Sequence, residues 1–166
     1  MLPWTTYGTF TLSTNGAIFK SFNFQDAPGH AFIQYAAATN NAGATGGFGG
    51  TLPRYRFFSS FDWVRNNWDV TVNNTYVSGT QDTGVNGNSV PTIPVASYVT
   101  FDTRVAYDWH REDARFGSDV RFAVGINNIA DRMPPLARRA FVDNNADVST
   151  FSPIGRLLYA TVAVTF

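Results

Sequence analysis

Counted back from Phe166, every second residue of the stretch Gly155 to Phe166 is apolar: Phe166, Val164, Val162, Ala160 and Leu158. Between them stand Thr165, Ala163, Thr161, Tyr159 and Leu157, smaller or more polar with Leu157 the exception. A period of two predicts a β-strand with one apolar face and one mixed face. The stretch has the roughly 9–11 residues that a strand needs to cross a bilayer. It ends on an aromatic residue, where soluble domains usually end frayed and polar. The expectation is the closing strand of a transmembrane β-barrel.

The same period recurs upstream. Phe10, Leu12 and Thr14 alternate with Thr9, Thr11 and Ser13, and Ile18, Phe22 and Phe24 resume the parity, predicting a first strand from Tyr7 to about Phe24. Gly16 interrupts it and marks a bulge or a close approach. From Arg54 to Val64, Tyr55, Phe57, Phe61 and Trp63 oppose Arg54, Arg56, Ser60 and Asp62. Arg65-Asn66-Asn67 reads as a tight turn, because Asn tolerates positive φ. Trp68, Val70, Val72 and Tyr76 then oppose Asp69, Thr71, Asn73 and Thr75. A fourth strand, Ser97 to Trp109, sets Val99, Phe101, Val105, Tyr107 and Trp109 against Thr100, Asp102, Arg104 and Asp108. In a fifth, Val120, Phe122, Val124 and Ile126 oppose Asp119, Arg121, Gly125 and Asn127.

The connections alternate in length. Gln25 to Pro53, Gly79 to Ala96 and Asn128 to Ile154 are long and rich in Gly, Asn or Pro, whereas the connections between them are short. Long loops on one side and short turns on the other characterise an antiparallel up-and-down membrane barrel. Trp63 and Trp68 flank one short turn, where an interfacial aromatic girdle is expected. Periodicity alone also fits a β-sandwich; the loop asymmetry and the terminal aromatic favour the barrel.

Composition narrows the classes. Aromatic residues make up 16% and charged residues 14% of the 166, the latter well under the soluble average of about 25%. Mean hydropathy is −0.13, and no run approaches the roughly 18 apolar residues of a spanning helix. Twelve basic and twelve acidic residues leave no net charge, and no basic stripe suits a nucleic-acid backbone. Cysteine is absent. Met1-Leu2-Pro3-Trp4 has neither the basic nor the apolar region of a signal peptide, so the expectation is a mature fragment or a true start upstream.

Candidate chemistry is sparse. Asp82, Asn86, Gly87 and Asn88 faintly resemble a calcium loop, but Ile93 sits near the place of the closing acidic ligand. Gly43 to Gly50 lacks the Lys-Ser/Thr of a phosphate cradle and reads as flexible loop. His110 beside Asp108, Glu112 and Asp113 reads as a charged turn before a metal or acid–base cluster; His30 stands alone. Without Cys or Gly-x-Ser-x-Gly, covalent catalysis has no carrier, and no enzyme or cofactor is expected. Arg138 and Arg139 in the last long loop are candidates for an anionic ligand such as an iron chelate.

The run Gly125-Ile126-Asn127-Asn128-Ile129-Ala130-Asp131-Arg132-Met133-Pro134-Pro135, the pair Gly155-Arg156 and the terminal Phe166 resemble the C-terminal end of TonB-dependent outer-membrane receptors. The likeness is strong from Ser97 onward, and Leu52-Pro53-Arg54-Tyr55-Arg56 with its Trp-bearing hairpin is similar as well. Ile129 departs from the usual Leu, and Thr161 from a frequent Gly. The resemblance implies Asn127, Asn128, Asp131, Pro134, Pro135, Gly155 and Arg156 as family motif, and Tyr159, Val162, Val164 and Phe166 as assembly signal. It also implies import of a scarce nutrient (an iron chelate, vitamin B12 or a sugar), residence in the outer membrane of a Gram-negative bacterium, and lipid and the barrel-assembly machinery as partners. Receptors of this kind enclose a plug that contacts TonB within about 22 strands. Here about six strands are expected over residues 1–166, with no plug and no signal peptide, so the chain reads as the C-terminal portion of such a barrel. A small passive pore or adhesin, and a soluble sandwich binding carbohydrate, are the alternatives.

Overall fold

The computed structural model describes residues 6–25, 27–41, 49–86, 91–110 and 119–165. Six long strands form one antiparallel sheet: β1 (Thr9–Ile18), β6 (Tyr55–Arg65), β7 (Trp68–Val77), β10 (Tyr98–His110), β11 (Asp119–Asn127) and β12 (Leu157–Thr165), neighbours in that order. Each strand pairs with the next long strand in sequence, so the sheet is an up-and-down meander. Five of the six have 9 to 11 residues and β10 has 13, matching the roughly 9–11 of a transmembrane strand.

Alternation decides the two faces. One row across the sheet runs Leu12, Phe61, Val72, Thr103, Ile126 and Leu158. The next runs Phe10, Trp63, Val70, Val105, Val124 and Ala160. None of the described residues covers this apolar face: Leu12, Leu158 and Val124 are 74%, 69% and 59% exposed. A soluble sheet buries such a face, and an uncovered one of this extent marks a surface made for lipid or a partner. Trp68 and Tyr107 close the face at the short-turn end with rings 4.8 Å apart; Phe57 and Tyr76 stand toward the other end at 6.3 Å.

The opposite face is polar. Asp62 accepts hydrogen bonds from Ser60 at 2.9 Å and Thr71 at 2.8 Å. Arg121 binds Asp108 at 3.1 Å and reaches across β10 to Asp69, which also meets Arg104 at 3.6 Å. Ala106, opposite Asp69 in the register, is almost fully buried; its small side chain leaves room for these long ones to cross.

The first strand ends at Ile18, short of the expected Phe24, and the continuation enters a pair of two-residue antiparallel strands, β2 (Asn23–Phe24) with β3 (Ile33–Gln34). Pairing is continuous through Gly16, opposite Phe57, so there is no bulge. The ring of Phe57 lies where a Cβ on Gly16 would be, which makes the glycine a close approach. Asn66 has φ 51° in the β6–β7 turn, as expected of that turn.

The long connections are more ordered than their composition suggests. β4 (Ala38–Asn41) and β5 (Gly49–Leu52) of the first join β8 (Thr80–Asp82) and β9 (Ile93–Val95) of the second in a four-stranded sheet, order β5-β4-β8-β9. Here Gly49 and Gly50, read from the sequence as flexible loop, are strand residues, and the polar stretch Gly79 to Ala96 contributes two strands. The β4–β8 pairing is parallel. The Thr39 hydroxyl bonds Thr51 at 3.1 Å on one side and Thr80 at 2.6 Å on the other.

Candidate functional site

All three long connections leave the sheet at one end, and there the chain does most of its burying. Val95 packs with Ala137, Ala140 and Phe141, joining the second and third connections. Asp82, 1% exposed, accepts the Gly84 amide at 2.9 Å through one oxygen and the Arg139 amide at 2.8 Å through the other. Asp147 is equally buried. Burial works against its charge, but hydrogen bonds from Ser149, Thr150 and Thr51 outweigh that and hold its carboxyl below the ordinary value of 3.8.

The third connection begins with a clasp. Asn128, at φ 53°, accepts the Arg132 amide at 2.8 Å through Oδ1 and donates Nδ2 to the Arg132 carbonyl at 2.9 Å. Its own amide reaches Asp102 Oδ1 at 2.7 Å. Asp131, also at positive φ, accepts the Arg156 amide at 2.7 Å. Pro135 is buried and Pro134 half-buried as the chain turns inward. Asn128, Asp131, Gly155 and Arg156, distant in sequence, thus tie the two ends of the connection together beside β11 and β12. Asn127 is the last residue of β11.

Between this clasp and the polar face lies a cavity of about 310 Å³. Thr75, Thr100 and Asp102 line it from the sheet, Tyr98 and Asn128 from the strand ends, and Ser152 and Ile154 from the third connection. Tyr98 is held edge-on against Phe151, ring centres 5.1 Å apart. Lining polar groups few in number and fixed by the scaffold suit small-molecule recognition.

Of the two predicted ligand-binding arginines, Arg138 is exposed, whereas the Arg139 guanidinium binds the Pro91 carbonyl. Neither lines the cavity. Sequence reading missed the cavity, because Thr75, Asp102 and Ser152 carry no motif. The sequence signal was Asp102 beside Thr100 on the polar face of its strand. Tyr159 lies over Gly125 on the polar face; Val162 and Val164 are exposed on the apolar face. Phe166, Gly87, Asn88, Glu112 and Asp113 lie outside the described residues. Among the described residues no cluster of metal ligands occurs. His110 meets Asp119 across the strand pair at 2.6 Å.

Comparison with known proteins gives a likeness of shape. The chain superposes on a point mutant of the ferric enterobactin receptor of Pseudomonas aeruginosa with a TM-score of 0.55, over 95% of this chain and 20% of that one, at 16% identity. The shared fold is that of a β-barrel wall. The chain spans about a fifth of the receptor it matches, and six strands are a segment of such a barrel. The likeness to TonB-dependent receptors carried by the sequence motifs is thus repeated in three dimensions. No family model matches the chain, and no curated protein matches it.

Proposed function

We propose that the chain forms part of the wall and outer loops of an outer-membrane receptor for TonB-dependent uptake of a scarce nutrient, of the iron-chelate, vitamin B12 or carbohydrate class. The observation that carries this reading is the uncovered apolar face running across six strands of transmembrane length. The long connections gathered at one end support the same reading. The apolar face meets lipid, the polar face lines a wet interior, and the connections help to capture the ligand. Transport energy reaches such a receptor through a plug that contacts TonB; these residues supply wall and loops. The edges β1 and β12 need further strands, since lipid tolerates no unpaired backbone groups. The alternating β12 with Phe166 is the segment offered to the barrel-assembly machinery. No nucleic acid is a partner in this reading, and no catalysis is assigned.

The test is the chain's need for an amphiphile. Purified and refolded, it should stay in solution and give a sheet spectrum only with detergent, and it should enter vesicles only together with the strands that pair its edges. A detergent-free monomer with a cooperative thermal transition would sink the reading and favour a soluble binding module.

A further inference from the structure

The cavity beneath the third connection has a chemical character that separates the nutrient classes. Among the described residues Asp102 is the only charged one lining it, and no Lys, Arg or His does. One Asp102 oxygen is taken by the Asn128 amide; the other accepts no hydrogen bond among the described residues. The Thr75 and Thr100 hydroxyls are likewise unspent within the described residues, although the Thr100 carbonyl accepts from Asn74 at 3.1 Å. The Ser152 hydroxyl accepts the Ile154 amide at 3.3 Å, so its proton remains available to a ligand. Asn128 spends its side-chain amide on the Arg132 backbone and positions the cavity rim.

An anion entering here would meet the Asp102 carboxylate; Arg132, whose charge reaches Tyr98, is not among the residues that line the cavity. A molecule rich in hydroxyl groups would meet what it needs: a carboxylate oxygen to accept, and three hydroxyls that each donate and accept. Ile154 and Leu157 supply apolar wall for the carbon skeleton. At about 310 Å³ the space is at the lower end of small-ligand pockets, roughly 300–1,000 Å³, and suits a compact ligand.

We infer that this cavity binds a neutral polyhydroxylated molecule of about one sugar ring, with Asp102, Thr75, Thr100 and Ser152 as its polar contacts. The inference rests on the receptor reading above and selects the carbohydrate class for this site. An anionic chelate would need other groups, of which the exposed Arg138 is one.

The experiment uses the full chain refolded in a zwitterionic detergent without a sugar headgroup. Saturation-transfer NMR and titration calorimetry are run with glucose, galactose and maltose, and with citrate and inorganic phosphate as anionic probes. Saturable binding of a neutral saccharide is expected, undisturbed by either anion and weakened at least tenfold by Asp102→Asn and by Thr100→Val. Asp102→Asn keeps an oxygen for the Asn128 amide while removing the charge; should it disturb the near-ultraviolet dichroism, Thr100→Val decides. Absence of saccharide binding, indifference to both substitutions, or displacement by citrate or phosphate would overturn the inference. Requirement for detergent is scored separately: a chain that needs detergent yet ignores saccharides defeats the cavity inference alone, whereas a detergent-free cooperative monomer defeats the receptor reading.

Discussion

Gly155 packs so closely on Asp131 that a Cβ built at Gly155 would overlap the Asp131 carboxylate. The same carboxylate oxygen accepts the amide of Arg156 at 2.7 Å. A small residue and an acidic one, each unremarkable alone, form one joint between the two ends of the third connection.

Gly155→Ala should force that joint open. Overpacking of a tight contact typically costs about 1–3 kcal/mol, and the loss should appear as a lower thermal midpoint of the chain refolded in detergent. A midpoint equal to wild type would show that the carboxylate shifts aside without cost.

Asn128→Ala should be worse than Asn128→Gly. Both remove two hydrogen bonds to the Arg132 backbone, each worth about 0.5–1.5 kcal/mol. Only alanine adds a left-handed backbone penalty of roughly 1–2 kcal/mol. Hydrogen exchange at the Arg132 amide is the readout: faster in both variants, with global stability lower in the alanine. Equal stabilities would contradict the left-handed assignment.

Acid should loosen the outer connections through Asp147. Its carboxyl titrates lower when folded than when unfolded, held down by Ser149, Thr150 and Thr51 against the opposing effect of burial. The unfolded state therefore takes up a proton first. The stabilisation is full above the ordinary value of 3.8 and is lost as pH falls through the lower folded value. Protease protection of residues 128–156 should be flat from neutral pH to about 5 and decline below about 4. In Asp147→Asn that acid-dependent part of the decline should vanish; an unchanged profile would assign it elsewhere.

Charge placed on the apolar face should cost more than charge on the polar one. Val124 and Ala123 are adjacent in β11 but face opposite ways. Val124→Arg should reduce the stability of the barrel completed with its edge-pairing strands in vesicles by about 2–4 kcal/mol if it reaches the bilayer midplane. The same variant in a detergent-free soluble state would be nearly neutral, because Val124 is already exposed. Urea titration in vesicles makes the measurement, and a cost under about 1 kcal/mol would be what an interfacial position gives.

How much was legible varied with the length of the pattern. The hairpin from Arg54 to Tyr76 was readable because Trp63, Val70 and their neighbours repeat at period two over whole strands. Its register followed from the Asn66 turn. The clasp was half readable: Asn128, Asp131 and Gly155 stood out through resemblance, but their mutual contacts did not. β4 and β8 were invisible, because strands of four and three residues are too short to show a period. Arg138 and Arg139 looked equivalent in sequence, and only the fold attaches the second to Asp82 and Pro91.

The sequence by itself determined the six strands, the two faces of the sheet and the end at which the loops gather. A sheet with one apolar face demands an apolar residue at every second position, and that demand is local and written in order. Tertiary structure alone decided the cavity, the buried Asp82 and Asp147, and the seating of Asp131 against Gly155. Those contacts join residues far apart in the chain, and their energies depend on distances that no local pattern encodes.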